Sequence, residues 1–234
     1  MHSFNPDYLI PNLIDAGSQN LKFFEDKGSN IFHGQILSYT FCDFIMGKIK
    51  EYELDTKNQS TRPVNSMHKN ALLVGELGIS DHIKTLVNLI LLKTIHSLFP
   101  RCMGTSFCSF HSYIVRYSAN MDTDLGFHID DSLVTINLCL NDGFVGSDLI
   151  FKGIRCPIHV DTPSNDYERI NIKHKKGFTV LHDGKNRHYV NPIEKGERYN
   201  LIIWCQDNNK NAEWRKASDN YECMDLCDYP RRLG

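Results

Sequence analysis

The sequence predicts an α+β fold in which a helical N-terminal part supports a strand-rich core, either a double-sheet jelly roll or a barrel. Two observations carry this. Apolar residues in the first hundred positions recur at helical spacing. After Pro100 the pattern changes to short segments rich in β-branched and aromatic residues: SYIVRY, VTINLCL, DLIFKG, GFTVLH, RHYV and RYNLIIW. Turn signals such as Asn141-Asp142-Gly143 and Asp183-Gly184 separate them, which favours antiparallel strands over a parallel sheet with intervening helices.

In the N-terminal part, Ile36, Leu37, Phe41, Phe44, Ile45 and Ile49 predict one amphipathic helix. A polar stretch from Asp55 to Asn65, containing Pro63, interrupts that pattern. A second helix is predicted from Ser80 or Asp81 to Phe99, with Ser80 as its N-cap and Pro100 as its stop. Both helices read as packing elements for the sheet. The expected organisation is a helical extension over 1–100, a core over 101–207 and a tail over 208–234.

A chain of 234 residues holds one sizeable domain, and 41% hydrophobic with 23% charged residues is ordinary globular usage. The net charge of -2 offers no overall basic field, so nucleic acid is not an expected partner. The start, MHSFNPDYLIPNLIDAG, lacks a basic segment followed by an apolar one, and a cytoplasmic or nuclear, intracellular location is expected. The apolar stretch LVNLILL, Leu86 to Leu92, is far shorter than the roughly 20 residues that span a bilayer. Eight cysteines, at 42, 102, 108, 139, 156, 205, 223 and 227, read as reduced thiols, and the neighbours Cys223 and Cys227 carry a zinc signal.

The chemistry-bearing residues fall in the strand-rich half. In His128-Ile129-Asp130 two ligand-capable side chains stand two residues apart, where strand geometry would point both to one face of the sheet. Downstream, VLHDGKNRHYVNPIEKGERYNLIIW supplies further histidines, one of them followed ten residues later by an arginine. Two histidines and a carboxylate on one face of iron(II) leave open positions for a bidentate 2-oxo acid and for oxygen. A distal carboxylate on that acid requires a planar, permanently charged fork, for which Arg198 is the candidate. Residues Asn191 to Gly196 read as the turn joining the strand of His188 to that of Arg198, so those two side chains would face one pocket. That turn favours His188 over His182, which precedes Asp183-Gly184 and is expected at the rim or behind the ligands.

These segments, with RPVNSM at Arg62 to Met67, GELGI at Gly75 to Ile79, YIVRY and TINLCLN, resemble the 2-oxoglutarate and iron-dependent oxygenases, and more distantly lysyl and prolyl hydroxylase catalytic domains. The resemblance spans roughly residues 60 to 205. It implies a double-stranded β-helix, the jelly roll, with N-terminal supporting helices. It further implies that His128, Asp130 and His188 bind iron, that Arg198 pairs with the far carboxylate of the 2-oxoglutarate cosubstrate, and that Tyr117 reaches that molecule. Alternation places Thr135, Asn137 and Cys139 on one strand face and Arg198, Asn200, Ile202 and Trp204 on another, which makes Asn137 and Asn200 candidate pocket residues. The implied activity is hydroxylation of a substrate, a prolyl or lysyl side chain of a protein or peptide, with O2 consumed, succinate and CO2 released, and ascorbate as a further cofactor.

Where members of this family usually show paired small residues, this chain reads Gly146-Ser147-Asp148, and Cys156 to Lys176 and the segment after Asp207 fall outside the likeness. Two other classes of function stand beside the oxygenase: an inactive jelly-roll binding module, and a zinc-binding interaction protein built on Cys223 and Cys227.

Overall fold

The six strand segments all appear, paired antiparallel, in the computed structural model, which describes residues 5–9, 21–55, 71–102, 107, 109–120, 122–207, 223–224 and 227–229. The segment Arg62 to Met67, most of the polar stretch before it, and Cys108 lie outside the described residues.

The major sheet contains β1 (Glu25–Gly28), β2 (Ile31–Gln35), β3 (Leu72–Leu73), β4 (Ser109–Ser118), β6 (Val134–Cys139), β10 (Phe178–Asp183) and β13 (Glu197–Gln206). Their order is β1-β2-β10-β6-β13-β4-β3. The minor sheet runs β5-β11-β8-β9, from β5 (Leu125–His128), β11 (Asn186–Val190), β8 (Leu149–Ile154) and β9 (Arg169–Ile172). A third pair joins β7 (Val145–Gly146) to β12 (Ile193–Lys195). The two main sheets form the jelly roll, a double-stranded β-helix. Among the described residues no helix is long and apolar enough to cross a membrane.

Period-two alternation divides the major sheet into two apolar surfaces. Along β13, Leu201 and Ile203 join Ile136, Leu138 and Leu181 in one buried cluster, packed under the helices. Ile202 belongs to the opposite cluster with Tyr113, Val115, Tyr117, Val180 and Phe151, between the sheets. The helices are α1 (Tyr39–Leu54), α2 (Ser80–Leu86) and α3 (Leu92–Leu98), with a π-helical turn, Val87–Leu91, joining the last two. Their apolar positions Phe41, Ile45, Ile49, Leu86 and Ile95 fill the outer cluster, so the helices brace the major sheet from behind.

Three local expectations shift. The first helix starts at Tyr39, after Ser38, whose hydroxyl accepts from the Phe41 amide at 3.3 Å; Ile36 and Leu37 precede it outside the helix. Ser80 is the first helical residue, with Ile79 at the cap and no side-chain capping bond, whereas the stop before Pro100 is where the sequence placed it, with Leu98 the last helical residue. Strands β1 and β2 lie within the part of the chain that read as helical. EDKG and IFHGQ are short and half polar, and the sheet extends into them only because β2 pairs with β10 and β1 in turn with β2.

The connections decide where the site forms. Gly184 and Lys185 carry the chain from β10 in the major sheet to β11 in the minor one. A Cβ on Gly184 would collide with the Ser132 carbonyl and hydroxyl oxygens. We therefore expect Gly184→Ala to cost about 1–3 kcal/mol by overpacking, read as a fall of several degrees in the thermal unfolding midpoint.

Candidate metal and cosubstrate site

The strand reading of His128-Ile129-Asp130 is corrected in one respect. His128 ends β5, but Asp130 lies outside any strand, so simple alternation does not aim the pair. Instead the Asp130 amide donates to the Gly184 carbonyl at 2.8 Å and its carbonyl accepts from Lys185 Nζ at 2.9 Å, which fixes the residue against the β10–β11 turn. The Thr135 hydroxyl donates to Asp130 Oδ2 at 2.5 Å. This leaves Oδ1 facing two imidazoles: His128 Nε2 at 3.6 Å and His188 Nε2 at 3.9 Å.

The backbone sets both rings. His128 Nδ1 lies 2.6 Å from the Gly126 carbonyl and His188 Nδ1 2.9 Å from the Asn186 carbonyl, so each Nδ1–H donates and each ring carries its lone pair on Nε2, facing Asp130. Cross-strand pairing of His188 with His128 brings their ring centroids to 4.1 Å. One ligand atom from each of His128, Asp130 and His188 falls within 4.8 Å of the others, a spacing one metal ion can gather.

His182 is not at a rim. It is wholly buried in β10, with Nδ1 donating to the Asp183 carbonyl at 2.9 Å and Nε2 3.7 Å from Asp130 Oδ2, the oxygen that Thr135 already engages. The Phe151 ring packs against both His182 and His188, at 4.9 and 5.4 Å between centroids. Burial pushes the Asp130 carboxyl upward, but His188, His182, His128 and the Thr135 hydroxyl outweigh that effect and hold it below the usual range. Burial, reinforced by His188, pushes His182 down to about 4.

The hairpin expected between His188 and Arg198 is a crossing between sheets. Asn191 to Gly196 contains β12, and β11 and β13 belong to opposite layers. The two side chains therefore approach from facing walls. Register aligns Arg198 with Tyr117 and Asn200 with Cys139. The Arg198 guanidinium stacks on the Tyr117 ring at 4.6 Å and donates to the Ser147 carbonyl. Tyr117 also lines the cavity that holds the His128–Asp130–His188 group, together with Tyr113 and Asn137. Asn200 Nδ2 donates to Asn137 Oδ1 at 2.5 Å, which ties the two asparagines into this wall.

Arg198 is 1% exposed, and among the described residues no carboxylate lies in ion-pair range of it. Burial alone lowers its pKa, partly offset by Tyr117, whose hydroxyl burial pushes to about 12. A buried guanidinium in this state fits an anion. Trp204 sits farther along the same strand face, against His111 and Tyr113. Sequence reasoning missed His174, which approaches Asn200 at 3.4 Å, and Lys185; neither stands in a recognisable spacing to the other site residues.

Residues 106–207 match the family model of the 2OG-Fe(II) oxygenase superfamily. The chain carries a domain of that superfamily. It is similar to 2-oxoglutarate and iron-dependent oxygenase domain-containing protein ICU11 of Arabidopsis thaliana, 35% identical over 75% of this chain and 45% of that one. It is also similar to 2-oxoglutarate and iron-dependent oxygenase domain-containing protein 2 of Homo sapiens, 28% identical over 87% of this chain and 55% of that one. The chain thus spans about half the length of these relatives. In fold it is similar to a prolyl-4-hydroxylase from Pseudomonas putida, with a TM-score of 0.57 at 15% identity over 83% of this chain and 99% of that one. The matched domain implies iron(II) and 2-oxoglutarate, and the His-Asp-His group supplies a donor set of the kind such a domain needs.

The His182 environment gives a pH prediction for metal-free protein. An unfolded imidazole takes its proton near 6.5, whereas the buried ring resists until about 4, so the unfolded state binds the extra proton in between. Stability is complete above that window and falls as pH drops through it, by about 3 kcal/mol. Denaturant unfolding across this range should show the slope, and His182→Gln should flatten it.

Proposed function

We propose that this domain is a 2-oxoglutarate-dependent hydroxylase in which His128, Asp130 and His188 hold iron(II) and Arg198 holds the far carboxylate of 2-oxoglutarate. The observation that carries the reading is the pairing of a gathered His-Asp-His group with a buried, carboxylate-free guanidinium on the facing wall of the jelly roll. Iron(II) chelated by 2-oxoglutarate supplies oxygen activation, by which one oxygen atom of O2 enters a substrate C–H bond and the other enters succinate as CO2 leaves. The carbonyls of Gly126 and Asn186 hold the two Nδ1 protons and so keep both Nε2 atoms available. Thr135 occupies Oδ2 of Asp130, which directs Oδ1 toward His128 and His188 and supports His188 over His182 as the third ligand. Tyr117 supports the Arg198 plane from below, while Asn137 and Asn200 offer amides along the cosubstrate wall.

The substrate class we propose is a prolyl or lysyl side chain of a protein or peptide. Its support is the resemblance to lysyl and prolyl hydroxylase domains and a fold neighbour named a prolyl-4-hydroxylase. Ascorbate as an accessory reductant belongs to the same reading. Anaerobic addition of iron(II) and 2-oxoglutarate to metal-free protein is expected to give the visible charge-transfer band of the chelate. No band at saturating metal and cosubstrate would remove the oxygenase reading in favour of an inactive binding module.

Two substitutions test the assignments. Arg198→Ala should weaken 2-oxoglutarate use by more than a hundredfold while iron binding persists, because losing one partner of a buried charge pair costs roughly 3–5 kcal/mol. Unchanged cosubstrate dependence would take Arg198 out of this role. His188→Ala should lose both iron and succinate formation, whereas His182→Ala should keep the iron and lose about 10- to 100-fold in activity. The reverse pattern of bound iron would make His182 the ligand.

A further inference from the structure

A second group of ligand-capable side chains lies on the far side of the minor sheet. Cys156, His159, Cys223 and Cys227 each present one atom, all within 4.8 Å of one another. His159 Nδ1 stands 3.2 Å from Cys156 Sγ, 3.5 Å from Cys227 Sγ and 3.7 Å from Cys223 Sγ, and the Cys156 and Cys223 sulfurs are 3.9 Å apart. Tetrahedral zinc with bonds of about 2.3 Å to sulfur and 2.0–2.1 Å to nitrogen demands edges of roughly 3.8 Å between sulfurs and 3.6 Å from sulfur to nitrogen. A disulfide demands about 2.05 Å and would leave a third cysteine and a histidine unexplained.

We propose that Cys156, His159, Cys223 and Cys227 bind a structural zinc ion that fastens residues 223–224 and 227–229 to the back of the minor sheet. Three thiolates and one imidazole complete four-coordination, so no position remains for substrate, and a sulfur-rich tetrahedral set selects zinc over the iron of the oxygenase site. The backbone presents the ligands in two short loops. The His159 amide donates to the Cys156 carbonyl at 3.0 Å, and the Cys227 amide donates to the Met224 carbonyl at 2.9 Å.

The surroundings are built for the same cross-link. The Ile154 amide at the end of β8 donates to Asp228 Oδ2 and the Asp228 amide returns to the Ile154 carbonyl, both at 3.0 Å. The Tyr229 ring packs on His159 at 4.6 Å and on the Arg155 guanidinium at 5.8 Å. Arg155 and Arg187 are both buried here, and Glu168 forms two bonds to Arg155, at 2.8 and 2.9 Å. A zinc–Cys3His centre carries one net negative charge and adds counter-charge to this pair of guanidiniums. Arg187 in turn donates to the carbonyls of Val160, Thr162 and Lys152. It neighbours His188 on β11, so the ion braces the strand that carries a candidate iron ligand, from the opposite face.

The test uses the full chain purified under reducing conditions, with zinc and iron measured separately. The double variant His128→Ala/Asp130→Ala, crippled at the other metal group, should still hold one zinc per chain, whereas Cys227→Ser and His159→Ala should each lose it. Replacement of the metal by cobalt(II) in the unsubstituted protein should give intense thiolate-to-cobalt charge-transfer bands and the strong visible bands of a tetrahedral ion, which does not depend on any variant folding. Stripping zinc with a thiol-directed mercurial should release the Ile154 amide to hydrogen exchange. A double variant with no zinc, a cobalt spectrum without thiolate bands, or a Cys156–Cys223 disulfide found by mass spectrometry in the reduced-purified chain would each overturn the site.

Discussion

The arrangement depends on where Asp130 is held. A buried carboxylate without partners would cost several kcal/mol, and here it is placed among three imidazoles and a hydroxyl. What keeps it there is backbone geometry: its amide and carbonyl are tied to the turn where β10 becomes β11. That turn feeds His182 from the major sheet and His188 from the minor one, so a single connection sets the distance from both rings to the carboxylate. Gly184 makes this possible because only a residue without a Cβ lets the turn approach Ser132.

The surroundings of Arg198 are set by a comparable economy of backbone. Gly146 and Ser147 both adopt left-handed conformations, at φ +78° and +60°, next to the carbonyl of Pro192, which a Cβ on Gly146 would meet at 2.8 Å. The tight path turns the Ser147 carbonyl onto the Arg198 guanidinium. Residues Gly146-Ser147-Asp148, which depart from the usual paired small residues, thus hold the arginine. Their variation does not remove the wall on which it stands.

How much of this was legible in the sequence follows from the range of the forces involved. Strand segments such as RYNLIIW declare themselves because alternation and β-branching act locally, and the same alternation sorted Arg198, Asn200 and Ile202 from Leu201 and Ile203. The helix stop before Pro100 was equally local. Strands β1 and β2 were illegible because β2 owes its strand character to pairing with β10, more than a hundred residues away, and β1 is held only through β2. Asp130 was legible as a residue type and spacing, but the reason it faces His188 lies in the hydrogen bonds to Gly184 and Lys185, which no periodicity encodes. Cys223 and Cys227 gave half of a pattern; Cys156 and His159, some seventy residues earlier, joined them only once the chain had folded.

The two faces of the jelly roll are braced by unlike means, and the difference bears on what each can do. The major sheet has α1, α2 and α3 packed on its outer surface, a large apolar contact that needs no specific ligand. Behind the minor sheet the chain runs as short turns from Pro157 to Glu168, too irregular to bury a comparable apolar stripe. Polar and charged contacts stand in for that burial: Arg187 spans several carbonyls, Arg155 is locked to Glu168, and the Cys-His group gathers Cys223 and Cys227 against Cys156 and His159. Such contacts are directional, so they fix the strand position closely while contributing less bulk stability than a helix layer would. The minor sheet carries His128 and His188, the candidate iron ligands whose position relative to Asp130 would have to be kept, so positional accuracy matters more there than cohesion. Sulfur ligation to a closed metal centre supplies that accuracy in a segment with little core of its own.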